Sequence, residues 1–303
     1  MILPFFLLLQ GITPEAAAVM DRSRRQADER RISEAQDAEA RAHVQPAPTS
    51  TLSPTDPAAQ SALPIPPQYA ARFQKCIDMA VDDADAALVE ANAWQLAGGS
   101  FYARQCEGFA YARADRWTAA QASFRQAASM AEIANDPASA RLWAQAGNAA
   151  LADKDAAGAR AAFDAAIAHG LHDGLEKGEA YLDRARAFVM LNDPEAARRD
   201  LDTALEQVPA DPLAWLLSAT LARRTGNLDV ARAQIAKAVK LSPDDASVAL
   251  EEGNIAILSG ADDIARTAWT RATKLAPDSP SAKSATANLA QLAAAPATST
   301  PSP

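Results

Sequence analysis

Residues 178–211 (GEAYLDRARAFVMLNDPEAARRDLDTALEQVPAD), 212–245 (PLAWLLSATLARRTGNLDVARAQIAKAVKLSPDD) and 246–279 (ASVALEEGNIAILSGADDIARTAWTRATKLAPDS) decide the fold. They lie end to end at one period, and Pro209, Pro243 and Pro277 close successive units 34 residues apart. Ala197, Ala231 and Ala265 share one slot; Leu201, Ile235 and Trp269 share another, and Ala204, Ala238 and Ala272 a third. Steps of three and four residues put these positions on one face of a helix. Small side chains recur where two antiparallel helices cross closely, because only a minimal side chain lets the backbones approach. The prolines stop each second helix. No segment alternates as a strand would. The pattern predicts an all-α chain of stacked helix pairs, a binding scaffold and not an enzyme.

Toward the N-terminus the same slots hold Trp143, Gly147, Ala150, Ala159, Phe163 and Ala166, and before them Gly108, Tyr111, Ala120, Phe124 and Ala127. Insertions near Asn135-Asp136 and over 169–177 stretch the spacing, and such insertions belong in surface loops. A degenerate sixth unit runs from about Pro67 to Gly99, with Phe73, Ile77, Ala86 and Ala93 in place but no closing proline. Beyond Pro277 one more helix, Pro280 to Ala294, reads as a cap, so the repeat region spans 69–295. Asp136-Pro137, Asp193-Pro194, Asp211-Pro212 and Ser279-Pro280 each set a side-chain acceptor before a proline that suits a first helical turn. Asn192, Gly226 and Gly260 suit left-handed turns between paired helices.

These residues resemble the tetratricopeptide repeat, in which aromatic, small, alanine, large apolar and proline positions recur over 34 residues. The runs Leu213 to Arg224 and Trp143 to Asn148 resemble alanine-rich bacterial members with a short leader. The resemblance implies a solenoid of about five clear repeats whose first helices line a concave face, where a peptide or partner helix would lie. Leu182, Leu216 and Leu250 recur along that face, with Arg186, Thr220 and Asn254 four residues further on and Asn148 in the matching slot of an earlier repeat. Two readings stay open. The leucines either anchor a partner segment, with the polar residues supplying directional hydrogen bonds, or pack between neighbouring first helices. The family's carboxylate clamp is not carried over, because Glu179, Asp183 and Glu251 stand beside the candidate cations and amides.

With 29 basic against 38 acidic residues the chain carries a formal charge of −9, which gains nothing from phosphate contacts, so nucleic acid is not an expected partner. The apolar stretch Ile2 to Ile12 is too short to span a membrane. Followed by Ala16-Ala17-Ala18, it reads as a signal peptide over 1–18, with the mature chain starting near Val19 in the periplasm; the other placement is cytoplasmic. A charged stretch from Asp21 to Val44 and a Pro/Ala/Ser/Thr-rich linker make up 19–68, and the tail 296–303 has the linker's composition. Cys76 and Cys106 fall on first helices of adjacent repeats, where either a disulfide or two small buried side chains would fit. His169, His172 and Asp173 form a cluster in a glycine-flanked insertion and read as a solvated loop, so no metal site is expected. No cofactor, small-molecule substrate or catalytic residue is expected either. Two function classes remain: an envelope scaffold or adaptor binding a protein or peptide, and an assembly factor, cytoplasmic or membrane-tethered, that self-associates through its repeats.

Overall fold

A computed structural model describes residues 65–294, and these contain thirteen helices and no strand. The expected leader at 1–18, most of the stretch 19–68 and the tail 296–303 lie outside the described residues. The described residues divide into two compact units, 65–209 and 210–294. The first holds α1 (Pro67–Asp82), α2 (Ala84–Leu96), α3 (Ser100–Arg113), α4 (Trp117–Ile133), α5 (Ala138–Ala152), α6 (Ala156–Ala168), α7 (Leu175–Met190) and α8 (Pro194–Gln207). The second holds α9 (Pro212–Arg224), α10 (Leu228–Leu241), α11 (Ala246–Leu258), α12 (Asp262–Leu275) and α13 (Pro280–Ala294). Within each unit consecutive helices pack on one another, and first helices also meet the next first helix: α1 with α3 and α5 with α7, α9 with α11.

The helix limits follow from local chemistry. Asp193 accepts from the Ala196 N–H, Asp211 from Leu213, Asn227 from Val230 and Asp245 from Ser247, each satisfying a donor that has no partner inside its helix. From the pair α3 and α4 onward, the chain reverses between the two helices of each pair through one left-handed residue: Asp115, Lys154, Asn192, Gly226 and Gly260, with φ between 56° and 80°. Glycine adopts this conformation freely, whereas Asp115 and Lys154 hold it at a steric cost.

From α3 onward the core of each pair is a volume exchange. A methyl group added at Gly108 would lie 2.6 Å from the Phe124 ring, at Gly147 2.7 Å from Phe163, and at Gly253 2.4 Å from Trp269. Each glycine lets an aromatic ring of the facing second helix sit against its backbone. In the repeats between, Ala185 and Ala219 take the glycine slot and the ring gives way to Leu201 and Ile235, all buried. Buried carboxylates are paired: Glu107 with Arg104 and the Ser123 hydroxyl, Asp183 with Arg186, Glu251 with Arg223.

Candidate partner-binding surface

The first helices carry the residues expected on a binding face. In the first unit, Asn148 on α5 is exposed and Arg186 on α7 is half-buried, its guanidinium donating to Asp183 at 3.0 Å. In the second unit Thr220 on α9 turns its hydroxyl back to the Leu216 carbonyl at 2.8 Å. Asn254 on α11 is committed internally: its side-chain oxygen accepts from Trp269 Nε1 at 3.1 Å and Asn288 Nδ2 at 3.0 Å, while its Nδ2 donates to Glu251. It ties α11 to α12 and α13. Of the polar set, Asn148 is the residue that faces solvent, and Arg186 is held by a buried carboxylate.

The leucines do not stand as solvent-facing anchors. Leu182 is 1 % exposed and Leu216 9 %. Leu216 lies in one apolar cluster with Ala219, Ile235, Val248 and Ile255, and half-buried Leu250 packs against the cluster around Ala256 and Trp269. They fill the space between helices, the packing alternative raised by their period.

Cys76 and Cys106 are bonded to each other, with Cα atoms 6.1 Å apart and both side chains fully buried, so α1 is joined covalently to α3. The histidines part company: His169 meets Glu132 at 2.8 Å and His172 meets Glu176 at 3.1 Å, while Asp173 pairs with Lys177. The Asp173 carboxyl lies below its ordinary value because Lys177 donates a hydrogen bond to it. Among the described residues no helix is long and apolar enough to cross a membrane.

Sequence reasoning missed a groove of about 600 Å³ in the first unit, beside α4. Its walls come from α2, α3, α4 and α5, and its residues follow no repeat period. The signal that could have found it is the insertion near Asn135, which marks the place where α4 is extended.

Residues 182–246 match the model of the tetratricopeptide repeat family. No curated protein matches the chain by sequence. Among solved structures, PilW, described as a widely conserved type IV pilus biogenesis factor, superposes with a TM-score of 0.60 at 21% identity, over 72% of this chain and 98% of that one. PilF of Pseudomonas aeruginosa gives 0.57 at 16% identity, over 73% and 99%. MamA from Desulfovibrio magneticus gives 0.51 at 17% identity, over 59% and 97%. Identities this low carry the fold alone. The matched residues carry tetratricopeptide repeats, and the fold around them is the solenoid of stacked helix pairs that the 34-residue period requires.

Proposed function

We propose that the chain is a non-enzymatic scaffold of the bacterial cell envelope that holds a protein segment along its first-helix face. The observation that carries this reading is the stack of helix pairs, which sets first helices side by side and leaves Asn148 exposed on α5 with Arg186 in the matching slot of α7. Such a face offers directional polar groups to a peptide while the leucines beneath hold the scaffold rigid. Envelope placement is supported by the buried Cys76–Cys106 bond, a kind of linkage that persists in oxidising compartments. It is supported also by the apolar stretch Ile2 to Ile12 with its following alanines. PilW, similar in fold, is described as a type IV pilus biogenesis factor.

A photo-crosslinking residue tests the surface. Placed at Asn148 it should trap an envelope protein, and placed at exposed Ala161 on α6 it should trap none. Equal adducts from both sites would refute the first-helix assignment. Adducts only with a second copy of the chain would turn the reading to self-association.

A further inference from the structure

From α4 onward the second helices start at the same distance from their left-handed turns but differ in where they stop. α6 has 13 residues, α8 and α10 have 14 each, and α4 has 17. The additional turn of α4 buries Ala131 and ends in Ile133, which is 83 % exposed. Leu96, the last residue of α2, is 92 % exposed. Two large aliphatic side chains thus stand in solvent at the ends of successive second helices, and the groove of about 600 Å³ lies between those helices. Insertions in solenoids commonly fall on binding faces.

The groove has a definite chemistry. Met130, Ile133 and the Trp143 ring give it an apolar end. The ring is fixed in place, because its indole N–H donates to the Glu132 carboxylate, which also meets His169. Glu132 is thereby engaged and does not line the groove. Gln95 and Gln126 line the groove with amides, each of which can both donate to and accept from the backbone groups of an extended chain. Arg104, steadied by Glu107 at 2.7 Å, and exposed Arg125 line the same groove, and no carboxylate does. In a chain of net charge −9 this is a local cationic lining on an acidic molecule.

We propose that this groove, lined chiefly by α4 and not including Asn148 or Arg186, docks an extended acidic segment of a partner protein whose aliphatic side chains pack on Ile133 and Trp143. The arginines take the carboxylates, the glutamines the backbone, and the extended end of α4 the apolar side chains. Charge complementarity selects an acidic occupant and would make association salt-dependent.

The test uses the full-length protein and an acetylated, amidated peptide, Ser-Glu-Leu-Glu-Leu-Glu-Ser, titrated by isothermal calorimetry with the Trp143 indole resonance as reporter. Binding should weaken about tenfold or more when glutamine replaces every glutamate of the peptide, or serine every leucine. Arg125→Glu and Ile133→Ser should each do the same. Both residues are solvent-exposed, so the variants should keep the parent's helicity and melting temperature, and circular dichroism checks this. Equal affinity for the glutamate and glutamine peptides, or an Arg125→Glu variant that binds as the parent does, would overturn the proposal. So would an absence of peptide binding together with an oligomer that Ile133→Ser dissolves, which would assign the face to a second copy. None of these outcomes bears on the crosslinking at Asn148, so the two readings stand or fall separately.

Discussion

At the scale of single residues, the fold rests on an exchange of volume between positions 16 apart in sequence. Glycine at 108, 147 and 253 faces Phe124, Phe163 and Trp269, and alanine at 185 and 219 stands where Leu201 and Ile235 replace the ring. Gly147→Ala would set a methyl 2.7 Å from a ring that is fully buried and has no room to swing. It should cost roughly 1–3 kcal/mol, read as a lowered denaturation midpoint. Phe163→Leu alone leaves a cavity and costs on the order of 1–2 kcal/mol. The double variant reproduces the Ala–Leu pair of the neighbouring repeat and should lose less than the sum; a strictly additive cycle would mean the two positions do not share the space. This pairing was legible in the sequence, since both members recur at the repeat period. The strain at Lys154 was not, because a lysine carries no turn signal, yet it holds φ 62°. Lys154→Gly should stabilise by roughly 0.5–1 kcal/mol, and a lowered melting temperature would contradict that assignment of strain.

Between elements the polar contacts decide which helices move together. Arg184 on α7 grips Asp200 on α8 through two nitrogens at 2.7 and 2.8 Å and reaches Asp164 on α6 at 2.8 Å. Its guanidinium is pushed above its ordinary value chiefly by the hydrogen bond to Asp200. Removing it strands a buried carboxylate, so Arg184→Ala should destabilise by about 3–5 kcal/mol, and Arg184→Leu with Asp200→Leu should recover most of that in urea denaturation. Asp155 begins α6, accepting from the Gly158 N–H and from Gln121 on α4. Those two bonds, the backbone one foremost, hold its carboxyl below the ordinary value. A depressed folded pKa adds stability that is present above the unfolded value of about 4 and lost as pH falls through the folded one. The advantage of the parent over Asp155→Asn should therefore shrink as pH drops below about 4; a gap that widens would reverse the sign. Element limits such as Pro194, Pro212 and Pro280 were readable because Asp-Pro and Ser-Pro carry cap chemistry. The face of Leu182 and Leu216 was not readable, since core and groove residues on one helix recur at the same 34-residue period. The groove beside α4 was hidden for the opposite reason: Gln95, Arg104, Arg125 and Ile133 share no period and meet only when α2, α3 and α4 are packed.

For the molecule as a whole, a repeat protein's stability is close to a sum over each repeat and its neighbours, which leaves terminal repeats short of one neighbour. The pair α1 and α2 is the first described and the most degenerate in sequence, lacking a closing proline. The Cys76–Cys106 bond compensates by tying α1 to α3 across a separation of 30 residues. A loop of that length corresponds to about 3–4 kcal/mol of restricted unfolded chain. The loss on reduction should be local: amide exchange should accelerate over 67–96 and stay unchanged over 210–294, because nearest-neighbour coupling decays along the stack. Acceleration spread evenly over both units would show instead that the chain unfolds as one cooperative body. The same bond links structure to location, for a thiol pair made and kept in a reducing compartment would remain open. Protein isolated from cells with thiols trapped at harvest should resist alkylation at Cys76 and Cys106 until a reductant is added under denaturing conditions, and its first residue should lie near Val19. Free thiols in that preparation would remove the staple and with it the structural argument for the envelope, and a chain still beginning at Met1 would remove the sequence argument as well.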